Sequence, residues 1–284
     1  MTKVGIITDS VACLPTEKIK EYGIGIVPYM LNINGKSYLD QIEITPDEFW
    51  KMFKDIKQLT TGAPAQGIFI NAYREMSQKT NEIVCTFVSK ALSAMQESAA
   101  QAREIFREEN PRVKIEIVDS RTAAGAEGFV ALAMARAAAS GKNLPEVVQT
   151  GLNTAPRSKF LFGVETLKYL IRGGRAPKIA YVGEIIGIKP IVGIVDSTGL
   201  VASIGRARGM HACMHKLMEL VSKYANGGKQ LHVNIHYSND IEKGHELLKL
   251  ITAKYECCEA FFTPFTPVMC GHTGPSISVC FYSE

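Results

Sequence analysis

The sequence predicts two α/β domains, the first built on a largely parallel sheet. Three observations predict it. Short apolar runs alternate with helical stretches through the first half of the chain, the pattern of a parallel sheet covered by helices. Several of those runs end in small hydroxyl residues, as strands do where they feed a helix at a ligand-binding edge. At 284 residues the chain is long enough for about two cores.

The elements follow in order. Val4 to Ile7 is an apolar run ending in Thr8-Asp9-Ser10, and Leu14-Pro15 opens a helix. Ile24 to Leu31 reads as one strand, and Asn32-Ile33-Asn34-Gly35 as a hairpin turn. Thr45-Pro46-Asp47-Glu48 is a capping box with proline at the first helical position, starting a helix through Phe53. Leu59 to Pro64 reads as a loop and Pro64 to Ser77 as a helix. Ile83 to Val88 is a buried strand, and Ser93 starts a helix rich in Ala, Met, Gln and Glu. Val113 to Val118 is a strand ending in Asp119-Ser120. Thr122 to Ala139 is an Ala-rich helix stopped by Ser140-Gly141, and Leu144 to Asn153 a further helix.

Past a boundary near Pro156 the texture changes, giving domains 1–156 and 157–284. Phe160 to Val164 is a strand, and Leu167 to Ile171 a short helix broken by Gly173-Gly174. Ile188 to Val195 and Leu200 to Ile204 flank Asp196-Ser197-Thr198-Gly199, a hairpin. Met210 to Tyr224 and Ile241 to Lys254 are helices around a strand at Leu231 to His236. Ala260 to Phe265 and Ser276 to Phe281 are the closing strands.

Composition narrows the function classes. Hydrophobic residues make up 46% and charged residues 21%, ordinary for a packed globular chain. A net charge of +4, from 32 basic and 28 acidic residues, is too mild to predict nucleic-acid binding. No apolar run reaches the roughly 18 residues that a membrane span needs. With no signal-peptide layout in view, a cytoplasmic protein is expected. Seven irregularly spaced cysteines read as reduced thiols behaving as small hydrophobes.

Motifs for the commoner chemistries are missing. There is no Gly-x-x-x-x-Gly-Lys-[Ser/Thr] phosphate loop, no Gly-x-Gly-x-x-Gly after the first strand, and no Gly-x-Ser-x-Gly elbow around Ser93. His211 and His215 share a helix face without the acid of the zinc-protease pattern, and His232 and His236 alternate on a strand. Both pairs are read as surface or core histidines, and no metal is expected.

What remains is polar. Ser93 fits a helix N-cap, with Gln96 closing a capping box. Most such serines only cap, yet the same helix end offers free N–H groups and positive dipole charge to a carboxylate or phosphate. Arg172-Gly173-Gly174-Arg175, Ile188-Lys189-Pro190 before a strand, and Gly205-Arg206-Ala207-Arg208 after one are cationic spots, each either solvated surface or an anion contact. Gly271-His272-Thr273-Gly274-Pro275 reads as a tight loop holding one imidazole.

Taken in order, these stretches resemble the DegV family, bacterial fatty-acid-binding proteins that serve as carrier subunits of fatty acid kinase. The resemblance runs through Thr8-Asp9-Ser10, Thr60-Thr61-Gly62-Ala63-Pro64, Ser89 to Ser93, Val118-Asp119-Ser120, Leu167 to Arg175, Ile188-Lys189-Pro190, Gly205 to Arg208 and His272 to Pro275. It implies a long-chain fatty acid bound between two α/β domains. Its carboxylate would be held by Thr61, by Ser93 with the N–H groups that follow from Ala94, and by His272. It also implies a partner, the catalytic subunit of a fatty acid kinase, with Arg172, Arg175 and Arg206 as candidate contacts to that partner or to a phosphate. No cofactor beyond the bound lipid is implied, and the chain would be a carrier rather than an enzyme. The family usually has Leu-Ser-Gly-Thr where this chain has Leu92-Ser93-Ala94-Met95, so Met95 is expected to reshape the space near the head group. The alternative is an acyl hydrolase or transferase using Ser93 and His272, with Asp9 or Asp119 as the orienting acid.

Overall fold

The computed structural model of the protein describes residues 4–176, 186–225 and 230–283. In chain order the elements are β1 (Gly5–Asp9), α1 (Thr16–Tyr22), β2 (Gly25–Val27), β3 (Met30–Ile33), β4 (Lys36–Leu39), α2 (Pro46–Met52), β5 (Leu59–Gly62) and α3 (Gln66–Ser77). There follow β6 (Glu82–Phe87), α4 (Met95–Glu109), β7 (Lys114–Asp119), α5 (Ala124–Ala139) and α6 (Leu144–Thr154). The later part has β8 (Lys159–Val164), α7 (Lys168–Arg172), β9 (Ile188–Ile194), β10 (Ala202–Arg208), α8 (Gly209–Tyr224), β11 (Leu231–Tyr237), α9 (Ile241–Lys254), β12 (Cys257–Pro264), α10 (Pro267–Thr273) and β13 (Ser276–Ser283).

Three sheets result. A parallel sheet has the order β2-β1-β6-β7. A six-stranded sheet has the order β10-β9-β8-β13-β11-β12, antiparallel except between β11 and β12. A small antiparallel sheet, β4-β3-β5, stands beside them. Its hairpin turns at Asn34 and Gly35, both at positive φ (50° and 85°), the conformation that Asn-Gly supplies at least strain.

Helix α5 explains how the two large sheets meet. It packs on β1 and β6 of one and on β11 and β13 of the other. Only Ala133, Arg136 and Ala139 of its sixteen residues escape full burial. A helix enclosed on both sides must present many small side chains, and ten of this one's sixteen residues are Ala or Gly. A Cβ at Gly128 would fall 2.7 Å from the Ala12 carbonyl oxygen, and one at Gly125 would fall 2.6 Å from His236 Nε2. The core of the parallel sheet therefore runs through α5 onto the near face of the six-stranded sheet, whose far face is closed by α8 and α9.

Two of the four flagged histidines are core devices. His236 Nε2 accepts the Gly125 N–H at the start of α5 (3.0 Å), and burial lowers its pKa to about 3. His232 meets Glu259 (2.7 Å), which also pairs with Arg136. His211 and His215 lie on the surface of α8, with His211 against Glu246 of α9. Among the described residues, no group of three or more His, Cys, Asp or Glu could hold a metal ion, and no helix is long and apolar enough to cross a membrane. All seven cysteines are free thiols.

The predicted elements need four corrections. Ile24 to Leu31 is two strands in different sheets, because Pro28 cannot donate to a ladder and the chain changes direction there. Leu59 to Gly62 is strand β5, not loop. Lys189 and Arg206 lie within β9 and β10 rather than before and after strands. His272 stands on the last turn of a helix, α10, rather than in a loop.

Candidate functional site

Strands β1 and β6 end side by side, and the chain leaving each stays buried through Ser10 to Cys13 and through Val88-Ser89. Against this edge the fold brings three further pieces. The alternation of β5 turns Thr61 inward with Leu59, while Thr60 and Gly62 face outward. Helix α10 is capped by the Thr266 hydroxyl, which accepts the Met269 N–H (3.5 Å). Asp40 anchors the same helix end, accepting the Val268 N–H (3.2 Å) with one oxygen and the Ser10 hydroxyl (2.6 Å) with the other. Burial raises the Asp40 carboxyl to about 6, against hydrogen bonds that lower it. Helix α7 stops at Gly173-Gly174, with Gly174 at φ 72°, and the turn lays Arg175 back against Leu92.

Between these pieces lies a narrow, partly open cavity. Its apolar walls come from both large sheets and their helices, with Val11 and Val88 on one side and Phe160, Phe162, Ile194 and Val201 on the other. Thr61, Ser93, His272, Tyr29, Thr273 and Arg175 supply the polar lining. An apolar volume with a few convergent polar groups is the ordinary form of a small-molecule site.

The hydrogen bonds set how these groups face a ligand. Tyr29 Oη donates to Ser93 Oγ (2.8 Å), and the Met95 N–H donates to the same oxygen (3.2 Å). A hydroxyl has two acceptor lone pairs and one proton. With both lone pairs engaged, the Ser93 proton is what is left to give. Thr61 Oγ1 lies 2.8 Å from His272 Nε2. Burial, then the positive charges of Arg175 and Arg172, hold the imidazole neutral, with its pKa down at about 3. His272 Nδ1 is buried without a partner over Gly173, where a Cβ would fall 2.2 Å from it. A site that offers the Ser93 proton and a guanidinium is suited to an acceptor, and a carboxylate is acceptor-only.

The structure thus gathers Thr61, Ser93, His272 and Arg175 on one cavity, from sequence positions up to 211 residues apart. Ala94 is exposed beside Ser93 and borders the open surface rather than the cavity. Arg172 lies against the Tyr169 ring (5.3 Å) and donates to the Gly271 carbonyl oxygen (3.4 Å). Arg206 is exposed on β10, away from the cavity lining, and Lys189 is paired with Glu165. The Ser-x-x-Gln capping box does not form. Helix α4 begins at Met95, Ser93 takes the Met95 N–H, and Gln96 instead donates to the Val88 carbonyl (3.1 Å) and to Asp119 (2.8 Å). Met95 is fully buried beneath α4 and does not line the cavity, so the expected effect on the head-group space has no basis there. Tyr29 was not foreseen. Its only local signal is the proline before it, which breaks the strand and frees the ring to turn inward.

Fold and site together define an α/β protein of two large sheets and a small one, with a largely apolar cavity lined by a few polar groups. The family follows from comparison with known proteins. The model described as "Uncharacterised protein, DegV family" matches residues 3–284, and the chain belongs to that family. A DegV domain-containing protein of Caldanaerobacter subterraneus subsp. tengcongensis is 27% identical over 285 residues, covering 100% of both chains. Among solved structures, a DegV family protein from Thermus thermophilus, described for fatty acid binding, superposes with a TM-score of 0.90 at 26% identity, covering 99% of this chain and 100% of that one. A stearic acid-binding protein from Eubacterium ventriosum gives a TM-score of 0.89 at 23% identity, with 100% and 98% covered, a likeness of fold.

Proposed function

We propose that this protein binds a long-chain fatty acid, its tail in the apolar cavity and its carboxylate at Thr61, Ser93 and His272, and presents that carboxylate to a partner kinase for acyl-phosphate formation. The observation that supports the reading is that Thr61, Ser93 and His272 line one cavity with mostly apolar walls, Thr61 Oγ1 lying 2.8 Å from His272 Nε2. The fatty acid binding described for the Thermus thermophilus relative supports the ligand class. The tail supplies affinity: about 0.8 kcal/mol per buried methylene, so about fifteen methylenes give roughly 12 kcal/mol before ordering and association costs. The hydroxyl protons and the imidazole set the register of the head. The helix end of α4 adds about 0.3–1 kcal/mol for an anion near it.

The kinase step is assigned to a separate subunit because the sequence carries no phosphate-cradling loop of its own. In this reading the chain is a carrier, residues 1–156 form the head-group domain, and residues 157–284 close over the lipid. Arg206 and Arg172, outside or at the edge of the cavity, are the contacts for an acidic partner or a newly formed acyl phosphate. Purified protein incubated with ATP and fatty acid should form no acyl phosphate until a kinase subunit is added. Formation by this chain alone would overturn the carrier assignment. Arg206→Ala should lower the coupled rate far more than it lowers lipid binding.

No observation favours the hydrolase alternative. Ser93 Oγ has both lone pairs engaged by Tyr29 and Met95, and the His272 ring nitrogen that makes a hydrogen bond faces Thr61. Among the described residues, no carboxylate orients the other nitrogen. A nucleophile needs a base on its proton and an oriented base behind it. Turnover of a p-nitrophenyl acyl ester by the purified protein would restore that alternative.

A further inference from the structure

Helices α8 and α9 touch each other on the far face of the six-stranded sheet, and neither contributes to the cavity lining. Met210, Met214 and Leu217 of α8 are buried in the core on that face, which leaves His211 and His215, one helical turn apart, at the edge of the buried stripe. The two imidazoles meet there. His215 Nε2 lies 3.2 Å from His211 Nε2, with the ring planes at 71°. The acid that the local sequence lacks comes from the neighbouring helix, 35 residues on from His211: a Glu246 carboxylate oxygen lies 2.8 Å from His211 Nδ1.

A carboxylate only accepts, so the proton of His211 sits on Nδ1 and its Nε2 keeps a lone pair. Metal-bound histidines are held in this way, the second ring nitrogen donating to a carboxylate that fixes the tautomer and raises the ligand's basicity. His215 gives its own Nε2 proton to that lone pair. Moving this proton to Nδ1 through water frees a second lone pair beside the first, with no net change in protons. Two imidazole nitrogens on one tetrahedral ion, each at about 2.05 Å, stand about 3.3 Å apart. The 3.2 Å found here is close to that spacing. Lys216, next to His215 in sequence, is paired with Glu219 (2.7 Å), which offsets its charge.

We propose that His211 and His215 form a binding site for a divalent transition-metal ion such as zinc, with Glu246 as the carboxylate that orients the first ligand. Imidazole suits zinc, copper and nickel, whereas calcium and magnesium take oxygen ligands. Structural and catalytic zinc ions usually have three or four protein ligands. Two leave the other positions to water, so this ion exchanges with solution, and through Glu246 it links α8 to α9. The site is independent of the lipid-binding reading.

The test is a calorimetric titration of zinc chloride into tag-free, metal-free protein, in a Cys257→Ser/Cys258→Ser background that removes the two thiols that are not buried. One zinc should bind per chain. His211→Ala/His215→Ala should abolish binding, and each single substitution should weaken it by about tenfold or more. Glu246→Ala, which removes no ligand, should also cost about tenfold. In the long-range ¹H–¹⁵N spectrum of the imidazoles, zinc should move the His215 proton to Nδ1 and leave the His211 tautomer as it is. Thermal unfolding in EDTA reports the fold of each variant. Zinc binding that survives the double substitution would place the ion elsewhere and overturn the assignment, as would a background protein that takes up no zinc. Unchanged affinity in Glu246→Ala would overturn the part given to Glu246.

Discussion

Ser93 shows how much of the site depends on partners distant in sequence. Tyr29, 64 residues earlier, supplies one of its two donors, and the α4 backbone supplies the other. Ser93→Ala removes the acceptor for both and the proton left for the ligand. Fatty-acid affinity should fall by about 1–3 kcal/mol, the cost of an unmade buried hydrogen bond to a charged partner, as read by probe displacement. Unchanged affinity would leave Ser93 as a turn residue only. For His272, a pKa lowered from the ordinary 6.5 to about 3 means a neutral ring at every pH from 5 to 8. The imidazole NMR signals of the ligand-free protein should therefore stay flat over that range, and a midpoint near 6.5 would contradict the burial that lowers it. Thr61, Ser93 and His272 were legible in the sequence because each sits in a motif of the resembled family. Tyr29 was not, since nothing near Pro28-Tyr29 announces a partner beyond β5. Arg175 was flagged as a cationic spot, but its place on the cavity lining was not legible: the sequence puts it beside Arg172, while the turn at Gly174 sends it into the cavity.

Among the elements misread, α10 has a physical reason of its own. Pro267 to Thr273 is buried apart from His272, so it has no polar stripe and its period cannot be seen. The signal that would have found it is Thr266-Pro267 at the start and Gly274 at the end, an N-cap, a first-turn proline and a C-cap glycine. The β9–β10 hairpin, by contrast, was legible from its turn residues, but what it touches was not. Gly199, at φ 72°, packs so closely on the turn after β6 that a Cβ would fall 2.1 Å from Ser89 Oγ, and Val201 two residues on lines the cavity. The hairpin thus closes one wall of the cavity against the turn after β6, which holds Ser89. Its hydroxyl accepts the Ala91 N–H (3.2 Å) and shapes that turn. Gly199→Val should lift the hairpin, through both the clash and the positive φ. Dissociation of a bound acyl probe, followed by stopped flow, should then be several-fold faster. An unchanged rate would separate the hairpin from ligand closure.

At the scale of the whole molecule, the α/β class and a parallel sheet in the first half were readable from strand-helix alternation and strand-end hydroxyls. The mixed pairing of the second sheet was not, because β13 enters between β8 and β11 and only long-range pairing decides that order. The junction of the sheets also carries a pH signature. Glu127 of α5 is buried beside Asp9; burial first, and then the Asp9 charge, raises its carboxyl well above the ordinary carboxylate range. The folded chain therefore keeps a proton that the unfolded chain gives up from about pH 4.5, and rising pH costs stability. Glu127→Gln removes that loss. The melting temperature of the variant minus that of the parent should grow from pH 5 to pH 8, and a flat difference would mean that Glu127 is already ionised in the fold. His236 and His272, lowered to about 3, add stability as pH rises towards 6.5, but they do so in both proteins and cancel in the difference. The central claim is that the cavity holds a fatty acid, and it is tested most directly by extracting the protein, purified from a bacterial host without added lipid, into organic solvent and weighing what is released by mass spectrometry. The account predicts free fatty acids of long chain at close to one per protein, and much less from a variant with Thr61, Ser93 and His272 all replaced by alanine; an extract free of fatty acid, from a folded protein that also fails to take up added fatty acid, would contradict it.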